Sequence, residues 1–232
     1  IAKLQGLADR QEELTRLLSD PAVTGNRNQF VEFSRELGRS GKVLDLEPGH
    51  TGEEPRIRRL NSPVDNHETF REFSFVGAAA ELACALLGGP VRYHHSKLNF
   101  KWSDGGEEVK WHQDIQFWPH TNYDLITIGV YLEEVEEGQG EMGFIPRSHS
   151  GPLFDQYERD IWRGYIQSAD LPDIQAETAI FPTGKAGTVT IHNCRTIHGS
   201  YPNHSSLQRP LLLQTYSAAD AFAYTDLVRK TK

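Results

Sequence analysis

Three side chains have the types and spacing of a metal site: His112, Asp114 and His198. Successive side chains of an extended strand point to opposite faces, so a strand over residues 110–118 would direct His112 and Asp114 to one side. His198, far downstream, would supply the third ligand. Two histidines and one carboxylate on one face of a metal, with the other face open, are typical of non-haem Fe(II) oxygenases.

A metal-free explanation also exists, because a histidine can simply hydrogen bond to a neighbouring carboxylate on a strand. The His198-Gly199-Ser200 sequence and the later Arg209 favour the metal site. Arg209 could reach the surface, but on a strand after the second histidine its guanidinium would bind a carboxylate deep inside a barrel. His192 has two equal interpretations, orienting a metal ligand or filling a buried structural position.

The elements around these residues follow from hydrophobic periodicity. Apolar residues at helical spacing predict helices over residues 2–18 and 28–37, and an Ala- and Leu-rich stretch predicts one helix over 68–87 that stops at Gly88. The residues from 91 onward favour strands, predicted at 91–102, 125–132, 142–146, 188–192 and 210–216. Helices followed by many short strands indicate an antiparallel sandwich or barrel with an N-terminal helical buttress.

Polar residues alternate along the first long strand, at Tyr93, His95, Lys97, Asn99 and Lys101. They form either a solvent face or the lining of a pocket, since the segment leads directly to the candidate metal strand. A further excursion at 154–169 is placed to cover a site. An earlier basic group, Arg56, Arg58 and Arg59, could hold a phosphate, but the sequence favours an ordinary solvated face.

Composition limits the class of protein. The 232 residues suit one domain, and the net charge of −8 disfavours binding to nucleic acid or to an anionic membrane. No run of eighteen apolar residues is present, which predicts no membrane span. Two cysteines are too few for a disulfide framework, so we expect a cytoplasmic protein.

At these residues the chain resembles the phytanoyl-CoA dioxygenase family of Fe(II)/2-oxoglutarate oxygenases, which includes the ectoine hydroxylases. The resemblance covers roughly residues 91–216. It is carried by Lys97-Leu98-Asn99-Phe100-Lys101, Trp111-His112-Gln113-Asp114, Gly143-Phe144-Ile145-Pro146-Arg147-Ser148-His149, and His198-Gly199-Ser200 through Asn203, Ser205 and Arg209.

The resemblance implies a mainly β fold, a double-stranded β-helix (a cupin-like jelly roll) with flanking helices. We therefore expect a single domain over 1–232, with a helical buttress at 1–90 and a jelly-roll core at 91–220. It also implies that His112, Asp114 and His198 bind Fe(II), and that 2-oxoglutarate and O₂ are cosubstrates. The expected 2-oxoglutarate contacts are Asn99, Thr127, Ser200 and Arg209.

The implied activity is hydroxylation of a small polar metabolite, with release of succinate and CO₂. The retained carboxylate of Asp114 favours hydroxylation, or a desaturation or oxidative cleavage, over halogenation. The expected substrate contacts are Lys97, Lys101, Gln116 and the aromatic Trp118, and the charged members suggest a carboxylate or phosphonate. Gln116 and Phe117 depart from the ectoine hydroxylases, which argues against ectoine itself.

Three alternatives remain open at this point. A pocket lined mainly by aliphatic side chains would favour a longer-chain or acyl substrate. A non-catalytic, cupin-like metal sensor would need no clamp such as Arg209. A zinc hydrolase could use the same three ligands, but no general base accompanies them in the sequence.

Overall fold

The computed structural model describes residues 44–47, 56–103 and 105–224, with helical positions at 10, 13, 16, 17 and 29. The helices of the longer ranges are α1 (Glu68–Phe75) and α2 (Ala78–Leu87). The strands are β1 (Leu44–Leu46), β2 (Ile57–Asn61), β3 (Val91–Lys101), β4 (Val109–His112), β5 (Leu125–Tyr131), β6 (Met142–Phe144), β7 (Tyr157–Glu158), β8 (Ile161–Trp162), β9 (Val189–Asn193), β10 (His198–Ser200) and β11 (Arg209–Ala218). Short 3-10 helices connect them at Pro63–Asp65, Asp114–Gln116, Ser148–Ser150, Leu171–Ile174 and Ala176–Thr178.

The two predicted N-terminal helices, 2–18 and 28–37, lie almost entirely outside the described residues. Within the described part of the chain, no helix combines the length and the apolar composition that crossing a membrane requires.

The helix predicted over 68–87 is two helices, because the chain leaves helical geometry at Val76 and Gly77. A Cβ atom on Gly77 would lie 3.0 Å from the Cα of Phe73, so a glycine permits this close turn. The predicted stop is confirmed: Gly88 caps α2 with a left-handed φ of 73°. The break lets Phe73 of α1 and Ala79 and Ala83 of α2 pack against the same core cluster.

Two antiparallel sheets form the body of the protein. The larger has six strands in the order β1-β2-β3-β11-β5-β9, and the smaller has three in the order β4-β10-β6. The mainly β, antiparallel prediction is confirmed. The large sheet begins at Leu44, however, whereas the sequence placed the start of the continuous strands at Val91.

Alternation along the central strands separates a packing face from a site face. Ile126 and Ile128 of β5 and Tyr216 of β11 pack with α2, while Thr127 and Thr215 between them share a hydrogen bond on the opposite face. That opposite face lines a cavity together with residues of the small sheet. The period of two along a strand therefore decides which side chains can do chemistry.

The loop before β11 is organised by the buried Asn203. Its side-chain amide donates hydrogen bonds to the carbonyl oxygens of Lys101 (3.2 Å) and Leu207 (2.7 Å). Its Oδ1 accepts from the backbone N–H and the hydroxyl of Ser205, at 2.9 and 2.8 Å. This network positions the start of β11, where Arg209 lies.

We expect Asn203→Ala to lower the free energy of unfolding by about 2 kcal/mol or more, since it leaves buried partners of the amide unpaired. Urea denaturation would measure the change. Asn61→Ala, on the partly exposed strand β2, is the control and should change stability by no more than about 0.5 kcal/mol. Equal midpoints for wild type and Asn203→Ala would contradict the role assigned to Asn203.

Candidate active site

The three predicted metal ligands converge. His112 and His198 face each other as cross-strand partners of β4 and β10. Their Nε2 atoms lie 3.7 and 3.8 Å from the same carboxylate oxygen, Oδ1 of Asp114. One donor atom from each of the three residues can be chosen so that all lie within 4.8 Å of one another. This set has the composition of a facial triad.

The sequence predicts a strand through Asp114, but Asp114 lies outside the strand. β4 ends at His112, and Asp114 begins the 3-10 helix Asp114–Gln116. The intervening Gln113 remains extended, with φ −124° and ψ 122°, so the alternation that places His112 and Asp114 on one side persists across the strand end.

The buried Gln113 anchors this turn through hydrogen bonds to neighbouring segments. Its side-chain amide donates to the carbonyl oxygens of Pro152 (3.1 Å) and Arg195 (2.9 Å), and its Oε1 accepts from the N–H of Phe154 (3.0 Å). Its own carbonyl oxygen accepts from the side chain of Gln156 at 3.0 Å. The fully buried Gln113 thus ties the metal-site turn to two other segments, a role that the sequence did not reveal.

Hydrogen bonds fix the tautomer of both imidazoles. Nδ1 of His112 lies 2.8 Å from the carbonyl oxygen of Lys110, and Nδ1 of His198 lies 2.9 Å from that of Thr196. A carbonyl oxygen only accepts, so Nδ1 carries the proton in each ring. The lone pair of each Nε2 is therefore free for a metal, and it faces Asp114.

Electrostatics favour the metal-binding protonation states. Burial lowers the pKa of His112 and places the pKa of His198 well below its ordinary value, so both rings are neutral near pH 7. Burial alone would raise the pKa of Asp114, but His198, His192 and His112 hold it well below its ordinary value. Neutral imidazole and ionised carboxylate are the forms that bind a metal ion, so the donor set fits Fe(II).

The second oxygen of Asp114 is held on the other side. Oδ2 lies 3.5 Å from the hydroxyl of Thr127 and 3.5 Å from Nε2 of His192. This arrangement leaves Oδ1 directed at the imidazoles of His112 and His198. His192, which the sequence left open between two roles, lies against the ligand carboxylate and lines the cavity.

Arg209 provides a cation in the same cavity. It is 3 % exposed, and among the described residues its Nε and Nη1 have no hydrogen-bond partner. Burial lowers its pKa to about 10, which still leaves it charged at neutral pH. A buried guanidinium with unpaired N–H groups is unfavourable unless an anion binds there.

Ser200 and Lys101 lie near Arg209. The ammonium of Lys101 donates hydrogen bonds to Oγ of Ser200 (2.6 Å) and to the carbonyl oxygen of Tyr201 (2.5 Å). Burial and the charge of Arg209 lower the pKa of Lys101 to about 7. Ser200 lines the cavity, whereas Lys101 lies behind it.

The cavity has a volume of about 90 Å³. Twelve of its seventeen lining residues are polar or charged, which argues against an aliphatic acyl pocket. The lining comprises Arg59, His95, Lys97, Asn99, Val109, His112, Asp114, Thr127, Met142, His192, His198, Gly199, Ser200, Arg209, Leu211, Leu213 and Thr215.

Lys97, Asn99 and Thr127 lie in this lining, as the sequence placed them. Gln116 and Trp118 do not: the side chain of Gln116 donates to the carbonyl oxygen of Phe154, and Trp118 is 3 % exposed within a core cluster. The substrate-contact roles given to Lys101, Gln116 and Trp118 stay predictions.

Arg59 is the main residue that the sequence misjudged. It was placed on a solvated basic face, yet it lines the cavity and donates from Nε to Oδ1 of Asn99 at 2.9 Å. Strand alternation is the sequence signal that separates the two arginines, since neighbours on β2 point to opposite faces. Arg58 accordingly pairs with Glu107, away from the cavity. Which strand β2 would join was not evident from local sequence.

Fold and site together define a non-haem, iron- and 2-oxoglutarate-dependent dioxygenase. The chain belongs to the phytanoyl-CoA dioxygenase family, whose sequence model matches residues 7–211. The chain is 34 % identical to a probable alpha-ketoglutarate-dependent hypophosphite dioxygenase of Stutzerimonas stutzeri, covering 91 % of this chain and 72 % of the relative. It is 32 % identical to L-proline trans-4-hydroxylase of Streptomyces griseoviridis, covering 93 % and 85 %.

Among solved structures, the fold is similar to that of EctD from S. alaskensis. The structure with bound Fe superposes with a TM-score of 0.64 at 24 % identity, covering 91 % of this chain and 68 % of EctD. The structure with 2-oxoglutarate and 5-hydroxyectoine gives a TM-score of 0.62 at 25 % identity, covering 94 % and 67 %.

We expect His192→Leu to weaken Fe(II) binding by about 10- to 100-fold, because Oδ2 of Asp114 loses the group that orients it. Anaerobic Fe(II) titration followed by equilibrium dialysis would measure the affinity. His149→Leu is the matched control, since His149 is exposed on the turn Ser148–Ser150. Unchanged iron affinity in His192→Leu would show that His192 only fills space.

Proposed function

We propose that this dioxygenase hydroxylates a small polar molecule, using the three ligands and Arg209 in one polar cavity. The overall reaction consumes substrate, 2-oxoglutarate and O₂ and yields hydroxylated substrate, succinate and CO₂. One oxygen atom enters the product and the other enters succinate. The observation that carries the proposal is the buried guanidinium of Arg209 in the cavity of the candidate metal ligands, with Nε and Nη1 unpaired among the described residues.

Each residue has a defined task in this reaction. His112, Asp114 and His198 would hold Fe(II), and the bound ion supplies O₂ activation coupled to decarboxylation of 2-oxoglutarate. His192 and Thr127 orient the carboxylate of Asp114 through its second oxygen. Because the three ligands come from one side, the opposite side is left for cosubstrate and substrate.

Arg209 is the proposed clamp for the distal carboxylate of 2-oxoglutarate. A guanidinium presents parallel N–H donors that match both oxygens of a carboxylate. Ser200 offers a hydroxyl beside it, and the hydrogen bond from Lys101 fixes that hydroxyl in position. Asn99 and Thr127, which also line the cavity, are further proposed contacts to the cosubstrate.

A small polar substrate agrees with the lining and with the relatives. Their names give hypophosphite, L-proline and ectoine as the molecules on which they act. An acyl substrate would need a mainly aliphatic lining. Only four of the seventeen residues that line the described cavity are aliphatic: Val109, Met142, Leu211 and Leu213. A metal sensor without turnover is disfavoured because it gives Arg209 no task.

We also propose a cytoplasmic location and no nucleic-acid partner. Both cysteines of the chain, Cys84 and Cys194, are free thiols. The net charge of −8 would repel a polyanion.

Succinate formation tests the class of reaction. Anaerobically iron-loaded protein, mixed with 2-oxoglutarate, air and a panel containing hypophosphite, L-proline and small phosphonates, should form succinate that depends on one panel member. His112→Ala should abolish it, since one imidazole ligand is lost, and His149→Ala should retain it. Wild type that binds iron but shows no affinity for 2-oxoglutarate would contradict the proposal.

Arg209→Gln tests the clamp separately. We expect it to weaken 2-oxoglutarate binding by about 10- to 100-fold, because a charge-assisted hydrogen-bond pair is lost. Iron affinity should remain near the wild-type value, as Arg209 is not a metal ligand. Isothermal titration with 2-oxoglutarate would measure the effect, and an equal loss of iron binding would show general disruption instead.

A further inference from the structure

A second cationic group lies in the cavity, formed by Arg59 and Lys97. β2 pairs with β3 so that Arg59 is opposite Asn99, and Lys97 stands two residues from Asn99 on the same strand face. Arg59 and Lys97 are therefore diagonal neighbours on one face of the sheet. Both line the cavity together with the metal ligands.

Arg59 is held in a fixed orientation. Its Nε donates to Oδ1 of Asn99 at 2.9 Å, and its Nη1 lies 3.5 Å from Oδ2 of Asp45. These contacts involve Nε and Nη1 of the guanidinium. A planar fork anchored in this way is preorganised to donate its remaining N–H groups to an oxyanion.

The two cations of this wall have few anionic partners of their own. Burial lowers the pKa of Lys97 to about 8, and the charge of Arg59 is the next cause. The carboxylates that act in the opposite direction are Asp114 and Asp45. Asp114 is a proposed ligand of the metal ion and Asp45 is shared with Arg59, so an added anion would stabilise both cations.

This group is separate from the Arg209 clamp. On β11, Arg209 pairs with Lys101 and Leu213 pairs with Lys97. Lys97 is therefore four residues of strand, about 13 Å, from the level of Arg209. Arg59 lies opposite Asn99, midway between these levels, and β3 separates its strand β2 from β11. The cavity thus offers two cationic positions, one beyond the need of the distal carboxylate.

We propose that Arg59 and Lys97 form an oxyanion subsite that binds a phosphonate or carboxylate group of the substrate beside the metal ligands. The inference rests on the proposed function and narrows its substrate to a small anion. It also gives Arg59, on strand β2, a direct role in substrate selection.

Binding to the Fe(II)- and 2-oxoglutarate-loaded protein under argon tests this subsite. Isothermal titrations with methylphosphonate and, separately, with acetate are expected to detect binding of at least one probe. Arg59→Ala and Lys97→Met should each weaken that binding by about 10- to 100-fold, because a charge-assisted hydrogen bond is lost. Lys97→Arg should retain most of it.

Arg58→Ala is the matched control. Arg58 neighbours Arg59 in the sequence, but it pairs with Glu107 and is not part of the cavity lining. It should bind both probes as wild type does. Far-ultraviolet circular dichroism and iron affinity, measured on every variant, separate loss of the subsite from loss of the fold.

The outcomes distinguish the two oxyanions and the two proposals. Preference for methylphosphonate assigns the subsite to a tetrahedral phosphorus oxyanion, and preference for acetate assigns it to a carboxylate. No binding of either probe to wild type, or equal binding to Arg59→Ala and Lys97→Met, overturns the inference. Loss of 2-oxoglutarate binding in these variants, with probe binding retained, assigns the pair to the cosubstrate and also overturns it. Failure of wild type to bind 2-oxoglutarate would instead overturn the proposed function.

Discussion

The pairing of β4 with β10 is the contact on which the active site depends. It brings His112 opposite His198, although 85 residues separate them in the sequence. Gly199 permits this pairing, because a Cβ atom there would lie 2.7 Å from the carbonyl oxygen of Val109. The short strands thereby fix two imidazoles, and the turn after β4 adds Asp114. A shift of one residue in register would turn one imidazole away from the cavity.

Buried charge explains much of what surrounds this contact. An ionised carboxylate or guanidinium inside a protein is costly unless a partner is present. The carboxylate of Asp114 lies against three histidines and Thr127. Burial lowers the pKa of His112 and His198, so both rings are neutral near pH 7. Nε and Nη1 of Arg209 have no hydrogen-bond partner among the described residues, which is consistent with a cosubstrate that is itself an anion.

Local sequence identified the candidate site residues better than it identified the bounds of the helices and strands. The His-x-Asp spacing was informative even though Asp114 lies on a 3-10 turn, since an extended Gln113 preserves the side on which both ligands lie. The prediction of a single helix over 68–87 was wrong, because apolar periodicity carries no information about the close approach of Gly77 to the backbone of Phe73. Arg59 was misjudged for a different reason: three neighbouring arginines look alike in sequence, but only the pairing of β2 with β3 selects which of them faces the cavity.

The sequence by itself determined the candidate metal ligands, the candidate clamp and the antiparallel β character. These depend on residue type and on spacing within short segments, where strand alternation places side chains. Tertiary structure alone decided that His192 lies beside Asp114, that Gln113 anchors the turn, and that Arg59 joins Lys97 in the cavity. The physical reason is that each of these contacts joins segments distant in sequence, and their distance in space is set by sheet pairing and core packing.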